Sequence, residues 1–271
     1  MKHFNKQSIL FVSIFSLLFS VLIGCANAEE VVLEEEKEVI VVEEEEQEEE
    51  QEEEENGSGI VNTCGYPLYP PLDTVITSHT SWASGNYPKR IEVFQKDTIT
   101  PASIVMLGNS LTEQGGNWSS KIGNGATVNN RGIAGDNCDG VLARLGELMC
   151  SQPKSIFIMI GTNDLWTNYT VAEVGSKIND IATALTDSLP ESKIFVQTLM
   201  PLGEGHDKAE RLLAINQAIN GFTERKYQLL DTFTAMANDQ GVLTADLTTD
   251  GVHLTSAGYE KWVAFLKNAI D

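Results

Sequence analysis

The chain has little that could cross a membrane. Its longest apolar run, Ile9 to Ile23, is 15 residues, short of the roughly 20 that a spanning helix needs. Histidine is scarce, at four in 271 residues, and so is cysteine, also at four. No Cys/His cluster has the spacing of a zinc site. Basic residues are few: 18 Lys and Arg against 39 Asp and Glu leave a net charge of −21. With no basic stripe, the chain lacks the electrostatic footprint of a nucleic-acid binder. Internal repeats are absent.

What is present begins with Lys2 and Lys6 ahead of that short apolar run, the pattern of an export signal. The run ends Leu22-Ile23-Gly24-Cys25, which resembles the bacterial lipobox. The alternative is ordinary cleavage near Ala26-Asn27-Ala28. On the lipobox reading, residues 1–24 are a lipoprotein signal, and Cys25 carries lipid and tethers the chain to the membrane. The expected location is then the bacterial cell envelope, at the outer membrane. Residues 29–55 hold 17 Glu and one Lys, so this block carries −16 of the net −21. Such a segment repels itself and has too little apolar surface to fold. Residues 25–59 are therefore expected to be an acidic, disordered spacer.

Residues 60–271 have the length of one domain with a full core. Residues 60–100, with Pro67, Pro70 and Pro71, read as an irregular arm, with a helix over Asn86 to Gln95. Residues 101–271 read as the core. Cys138 shares a helical face with Val141, Leu142 and Leu145 and reads as a core thiol. Cys150 lies about 18 Å further along a continuous helix, too far for a bridge. Whether Cys64 bonds to either is open.

Short apolar runs alternate with helical patterns. Ile104 to Leu107, Ile156 to Ile160 and Ile194 to Val196 are unbroken, as suits strands covered on both faces. Thr127 to Asn129 and Tyr227 to Leu230 are weaker candidates. Val171, Val174, Ile178, Ile181 and Leu185 share one helical face, started by a Thr170/Glu173 capping box. Leu212, Ile215, Ile219 and Phe222 form a second stripe, with Asp207 as its expected cap. Tyr259, Trp262, Val263, Leu266 and Ile270 form a third, capped by Thr255 or Ser256. This alternation implies right-handed crossovers and a three-layer α/β sandwich.

Four polar blocks fall where strands end or the last helix begins. They are Gly108-Asn109-Ser110-Leu111, Asn130-Arg131-Gly132-Ile133-Ala134-Gly135-Asp136, Gly161-Thr162-Asn163-Asp164 and Asp250-Gly251-Val252-His253. Ligands of open parallel sheets bind at the carboxyl ends of strands, where strand order reverses. In a 2-1-3-4-5 order that point brings Ser110 and Asn163 together. A serine hydroxyl needs a base to become a nucleophile. His3 lies in the signal, His79 has no acid near it in sequence, and His206 neighbours Asp207. His253 follows Asp250 by three residues on a glycine turn, so one ring nitrogen can face the carboxylate and the other the serine. The Asn163 amide and the backbone N–H groups of Gly135 and Ser110 are candidate oxyanion donors. Arg131 and Asp136 are expected to order the second block.

Ser110, Gly135, Asn163 and His253 resemble the four residues after which the SGNH hydrolases, the GDSL-like lipases and acylhydrolases, are called. Asp250 matches that family's D-x-x-H aspartate. The resemblance runs from about Ile104 to Asp271. It implies a flavodoxin-like α/β/α fold with a five-stranded parallel sheet of order 2-1-3-4-5, and ester hydrolysis with no metal or cofactor. Asn109 departs from the Asp of the G-D-S-L form, at a position that orients the loop. The G-x-S-x-G elbow of the α/β-hydrolases is missing. The second and third blocks look most like the acetylhydrolase and carbohydrate O-acetylesterase branch, so the expected substrate is a glycan or small-molecule ester. A lysophospholipase, short-chain lipase or thioesterase is the alternative, and a non-catalytic glycan-binding domain a further one. Leu165 and Trp166 are read as walls of a small pocket, with Trp166 either stacking on sugar or buried in the core.

Overall fold

A computed structural model describes residues 64–270. The expected signal, the acidic spacer and Cys25 lie outside the described residues. The described chain opens with an arm that carries helix α1 (Ser81–Phe94). It continues through β1 (Ile104–Gly108), α2 (Ser110–Gln114), α3 (Ser119–Ile122), β2 (Val128–Gly132), α4 (Cys138–Leu142), α5 (Gly146–Ser151) and β3 (Ser155–Met159). A 3-10 turn follows at Asn163–Trp166. Then come α6 (Val171–Ser188), β4 (Lys193–Gln197), α7 (Ala209–Gly221), β5 (Gln228–Leu230), α8 (Thr232–Met236) and α9 (Ser256–Ile270).

The five strands form one sheet in the order β2-β1-β3-β4-β5, and every pairing is parallel. This is the α/β/α architecture that the alternating pattern implies. Strand residues divide by parity, because side chains alternate across a sheet. Val105, Leu107, Ile156 and Ile158 pack with α4, α6 and α7 on one face. Ile104, Met106, Phe157 and Phe195 pack with Trp118 and the α9 residues Trp262 and Leu266 on the other. Burying each such side chain stabilises the fold by about 1.5–3 kcal/mol.

The register sets up the site. Gly108, the last residue of β1, pairs with Gly132 at the end of β2 and with Met159 at the end of β3. These three neighbouring strands therefore stop at one level, and the segments that leave them enter the same space. Gly132 is needed there, since a Cβ on it would overlap the backbone of Glu113 in α2.

Local signals held where they were strong. Thr170 and Glu173 form the capping box of α6, and the Thr255 hydroxyl accepts from Gly258 N–H at the start of α9. Two expectations need correction. The arm helix begins at Ser81, five residues early, because Thr80 caps it by accepting from Ala83 N–H. Gly85, Asn86 and Pro88 hide this start, being poor helix formers. Asp207 does not cap α7. Lys208 precedes that helix with no side-chain cap, and Asp207 pairs in the open with Lys208. Phe222 ends the same helix as its C-terminal cap. Cys138 is a buried free thiol, and Cys64 is bonded to Cys150, with Cα atoms 5.5 Å apart.

Candidate active site

Ser110 opens α2 directly after β1. The Asn109 side chain caps this helix, accepting from Leu111 N–H at 3.1 Å. Asn109 is buried, so the residue at the departure from G-D-S-L still serves the turn. Ser110 is 8% exposed, open on one side only.

The Asp250–His253 turn reaches this serine across 143 positions of sequence. His253 Nε2 lies 3.0 Å from Ser110 Oγ. His253 Nδ1 lies 2.7 Å from Asp250 Oδ2. The other oxygen of Asp250 accepts from the backbone N–H groups of His253 and Val252, at 2.7 and 2.9 Å. Burial raises the Asp250 carboxyl, but hydrogen bonds from the His253 ring and from these two N–H groups outweigh it and bring the pKa down to about 2. Thr248 closes the turn, accepting from Gly251 N–H and donating to the His253 carbonyl.

The second block is built from outside itself. Glu113 of α2 accepts from Ala134 N–H at 2.6 Å, and Ile133 N–H donates to the Gly108 carbonyl. Gly135 has φ +83, and a Cβ there would press on Trp82 and Ala83 of α1. Only glycine meets both demands at little cost. Along α1, Asn86 donates to the Ala134 carbonyl and Arg90 to the Gly132 carbonyl, each at 3.2 Å. Trp82, Asn86 and Arg90 are spaced four apart and so share one helical face. The arm thus braces the loop that carries Gly135.

Asp136 is fully buried, held by Arg144 at 2.9 Å and His79 at 3.0 Å. His79 therefore does have an acid beside it, 57 residues on. Arg131 is also buried and is clamped by Glu147 and Asp97. Both residues order the loop, and neither side chain is left for a ligand. Asn163 donates to the Asp136 carbonyl at 2.7 Å, which ties the third block to the second. A carboxamide nitrogen has a second hydrogen to give. Asp164 is buried and accepts from Cys138 N–H. Burial raises its pKa to about 6, partly offset by that hydrogen bond.

The structure therefore brings Ser110, Gly135, Asn163, Asp250 and His253 to one end of the sheet. Leu165, expected to wall a pocket, is instead buried in the core. Trp166 is 52% exposed and is no core residue. The arm's part in the site was not legible. Its faint sequence signal was the four-residue spacing of Trp82, Asn86 and Arg90. Among the described residues, no group of three or more His, Cys, Asp or Glu is placed to hold a metal ion, and no helix is long and apolar enough to cross a membrane.

A parallel α/β/α sheet with a serine, a histidine and an aspartate in line at its carboxyl end defines a class, the flavodoxin-like hydrolases. Residues 106–261 match the GDSL-like lipase/acylhydrolase family, and the chain belongs to that family, the SGNH hydrolases, a family of carboxylic ester hydrolases. Over 137 residues it is 34% identical to platelet-activating factor acetylhydrolase IB subunit alpha2 of Homo sapiens, and equally to that of Bos taurus. That match covers 49% of this chain and 59% of each relative's length. Among solved structures, a GDSL-like lipase from Bacteroides thetaiotaomicron is 23% identical with a TM-score of 0.58, covering 68% of this chain and 97% of that one. An acetylxylan esterase from Geobacillus stearothermophilus is 18% identical with a TM-score of 0.53, covering 64% and 95%. Both share the fold.

Proposed function

We propose that the protein is a serine esterase that removes short acyl groups, acetyl above all, from the hydroxyls of carbohydrates. The observation that carries this reading is the line from Asp250 through His253 to Ser110, at 2.7 and 3.0 Å, beside Gly135 and Asn163. His253 Nε2 takes the Ser110 proton while Oγ attacks the ester carbonyl. Asp250 is ionised above about pH 2, so it holds the ring in orientation and offsets the positive charge that the ring gains. The N–H groups of Ser110 and Gly135 and the amide of Asn163 receive the oxyanion. The bond to the alcohol oxygen breaks, and Nε2 returns the proton to that oxygen. Water then attacks the acyl-serine by the same route and frees the acid.

Acetyl is favoured by the rim. Glu113, Asn130, Ala134 and Gly135, which are partly exposed, offer polar groups and small residues, and Ile133, the one large apolar residue of the second block, is buried. A long acyl chain needs a broad apolar wall. The curated relatives are acetylhydrolases by name, which supports a short acyl group. The same name supports a second reading, in which the alcohol is an ether phospholipid. We further propose that cleavage before Cys25 and lipidation there anchor the enzyme in the cell envelope, with residues 25–59 as its spacer. Replacement of Cys25 by serine should then abolish fatty-acid labelling.

A nitrophenyl ester series tests the acyl preference, and Ser110→Ala tests the nucleophile. Expected is a kcat/KM that is highest for acetyl and at least tenfold lower by octanoyl, with no turnover in the alanine variant. Each methylene buried in an apolar groove adds about 0.8 kcal/mol. A rate that climbs with chain length would put a lipase first.

A further inference from the structure

The four tryptophans divide into two pairs. Trp118 and Trp262 are fully buried and pack edge to face, with ring centres 5.0 Å apart. Trp82 and Trp166 are 63% and 52% exposed. Leaving an indole in water forgoes much of what its burial would contribute, so an exposed pair flanking one site calls for a function. Each lies next to a segment that carries a proposed oxyanion donor. The Trp82 ring lies against Gly135. Trp166 ends the 3-10 turn that Asn163 begins, and its ring meets His206 edge-on at 5.8 Å.

Between the arm and that turn runs a cleft of about 380 Å³, walled by Thr77, Ser78, Thr80, Asn163, Trp166 and Asn168 among others. Thr80 also caps the helix that carries Trp82. The walls are hydroxyls and amides around the Trp166 indole and the Tyr169 phenol, with Trp82 outside them, against Gly135. An alkyl chain would strand those polar groups without partners. A sugar ring presents the complementary surface, an apolar face of C–H groups that stacks on an indole and a rim of hydroxyls that both donate and accept. The cleft's volume lies at the lower end for small-ligand sites, about 300–1,000 Å³.

We propose that the arm and the Asn163 turn form a sugar subsite, with Trp166 as the stacking face within the cleft, Trp82 as a second face beside Gly135, and Thr77, Ser78, Thr80 and Asn168 binding free hydroxyls. The inference rests on the carbohydrate-ester reading above and deepens it. It assigns specificity to a segment that lies before the family-matched residues 106–261. The arm then has two tasks: bracing the Gly135 loop through Asn86 and Arg90, and presenting Trp82 to the alcohol side of the ester.

The test compares two substrate types in the full chain. Values of kcat/KM are measured on nitrophenyl acetate and on O-acetylated saccharides, namely acetylated xylo-oligosaccharide, glucose pentaacetate and 9-O-acetylated sialic acid. The readout is the ratio of the best saccharide to nitrophenyl acetate, with melting temperature recorded alongside. In Trp82→Ala and Trp166→Ala the ratio should fall at least tenfold, mostly through KM. Trp166→Phe, which keeps a ring face, should recover at least a third of the loss, and Asn168→Ala should lower the ratio at least threefold. Should an alanine variant fail to fold, the Phe and Asn168 variants decide. An unchanged ratio in folded variants would overturn the subsite and leave the carbohydrate esterase standing. If the wild type cleaves nitrophenyl acetate and none of the saccharides, the carbohydrate reading falls, and the subsite with it.

Discussion

The serine and histidine ends of the site are built in different ways. The serine end is embedded. Ser110 leaves a central strand, and the loop beside it hangs on the buried charges of Asp136, Arg144, Arg131 and Glu147. The histidine end is open. The His253 and Asp250 side chains are 31% and 53% exposed, and the turn is held mainly by its own short-range hydrogen bonds through Thr248 and Asp250, with one long-range bond from Gly203 N–H to the Gly251 carbonyl. A buried ion pair tolerates no missing partner, because the remaining charge is stranded. An exposed turn replaces a lost bond with water. The proposed oxyanion side is thus set by the fold, while the proposed base sits on a largely local motif.

The largest effect expected of this contrast is on stability. Arg131→Met strands Glu147, itself buried, and should cost about 3–5 kcal/mol, read by urea denaturation. A loss under 1 kcal/mol would mean that the embedded side is no more rigid than the open one. Next comes Asn163→Ala. It should lower kcat on the order of a hundredfold, about 3 kcal/mol, with a smaller change in KM, because the donor acts on the transition state. A change in KM alone would move Asn163 from the oxyanion to the ground-state substrate.

Asp164 gives a pH test of the embedded side. Its folded pKa, about 6, lies above the usual carboxylate value. The protonated form is thus favoured by folding: the stabilisation is full below about pH 4 and is lost as pH rises through about 6. Melting temperature measured from pH 4 to pH 7 should carry this downward contribution, and Asp164→Asn should flatten it. An identical slope in the two proteins would assign the pH dependence to other groups. The smallest effect belongs to the open side. Thr248→Val removes two hydrogen bonds from the His253 turn and should cost about 1 kcal/mol, with a several-fold fall in kcat. A hundredfold fall would show that the turn depends on Thr248 as strictly as the serine end depends on its charges.

Much of this was legible because it is local. Unbroken apolar runs announce β1, β3 and β4, and helical stripes announce α6, α7 and α9. The Asp250–His253 spacing lies within a single turn. β2 was faint because Asn129, Asn130 and Arg131 break its apolar pattern, and only Glu147 and Asp97, distant in sequence, make Arg131 tolerable inside. Fold class, strand order and the five candidate site residues were therefore within reach of pattern and resemblance.

The arm was not. His79 meets Asp136 across 57 residues, Trp82 meets Gly135 across a similar span, and Cys64 meets Cys150 across 86. None of these pairings has a periodicity or a spacing to betray it. Local propensity and side-chain period were enough for the strands β1, β3 and β4, for the helices α6, α7 and α9, and for a serine, an aspartate and a histidine at the ends of such elements. Tertiary structure alone decided that the three strands stop level at Gly108, Gly132 and Met159, and that a proline-marked arm returns to brace the Gly135 loop. Such choices depend on which distant surfaces bury one another, and contact between distant residues leaves no mark on either stretch of chain alone.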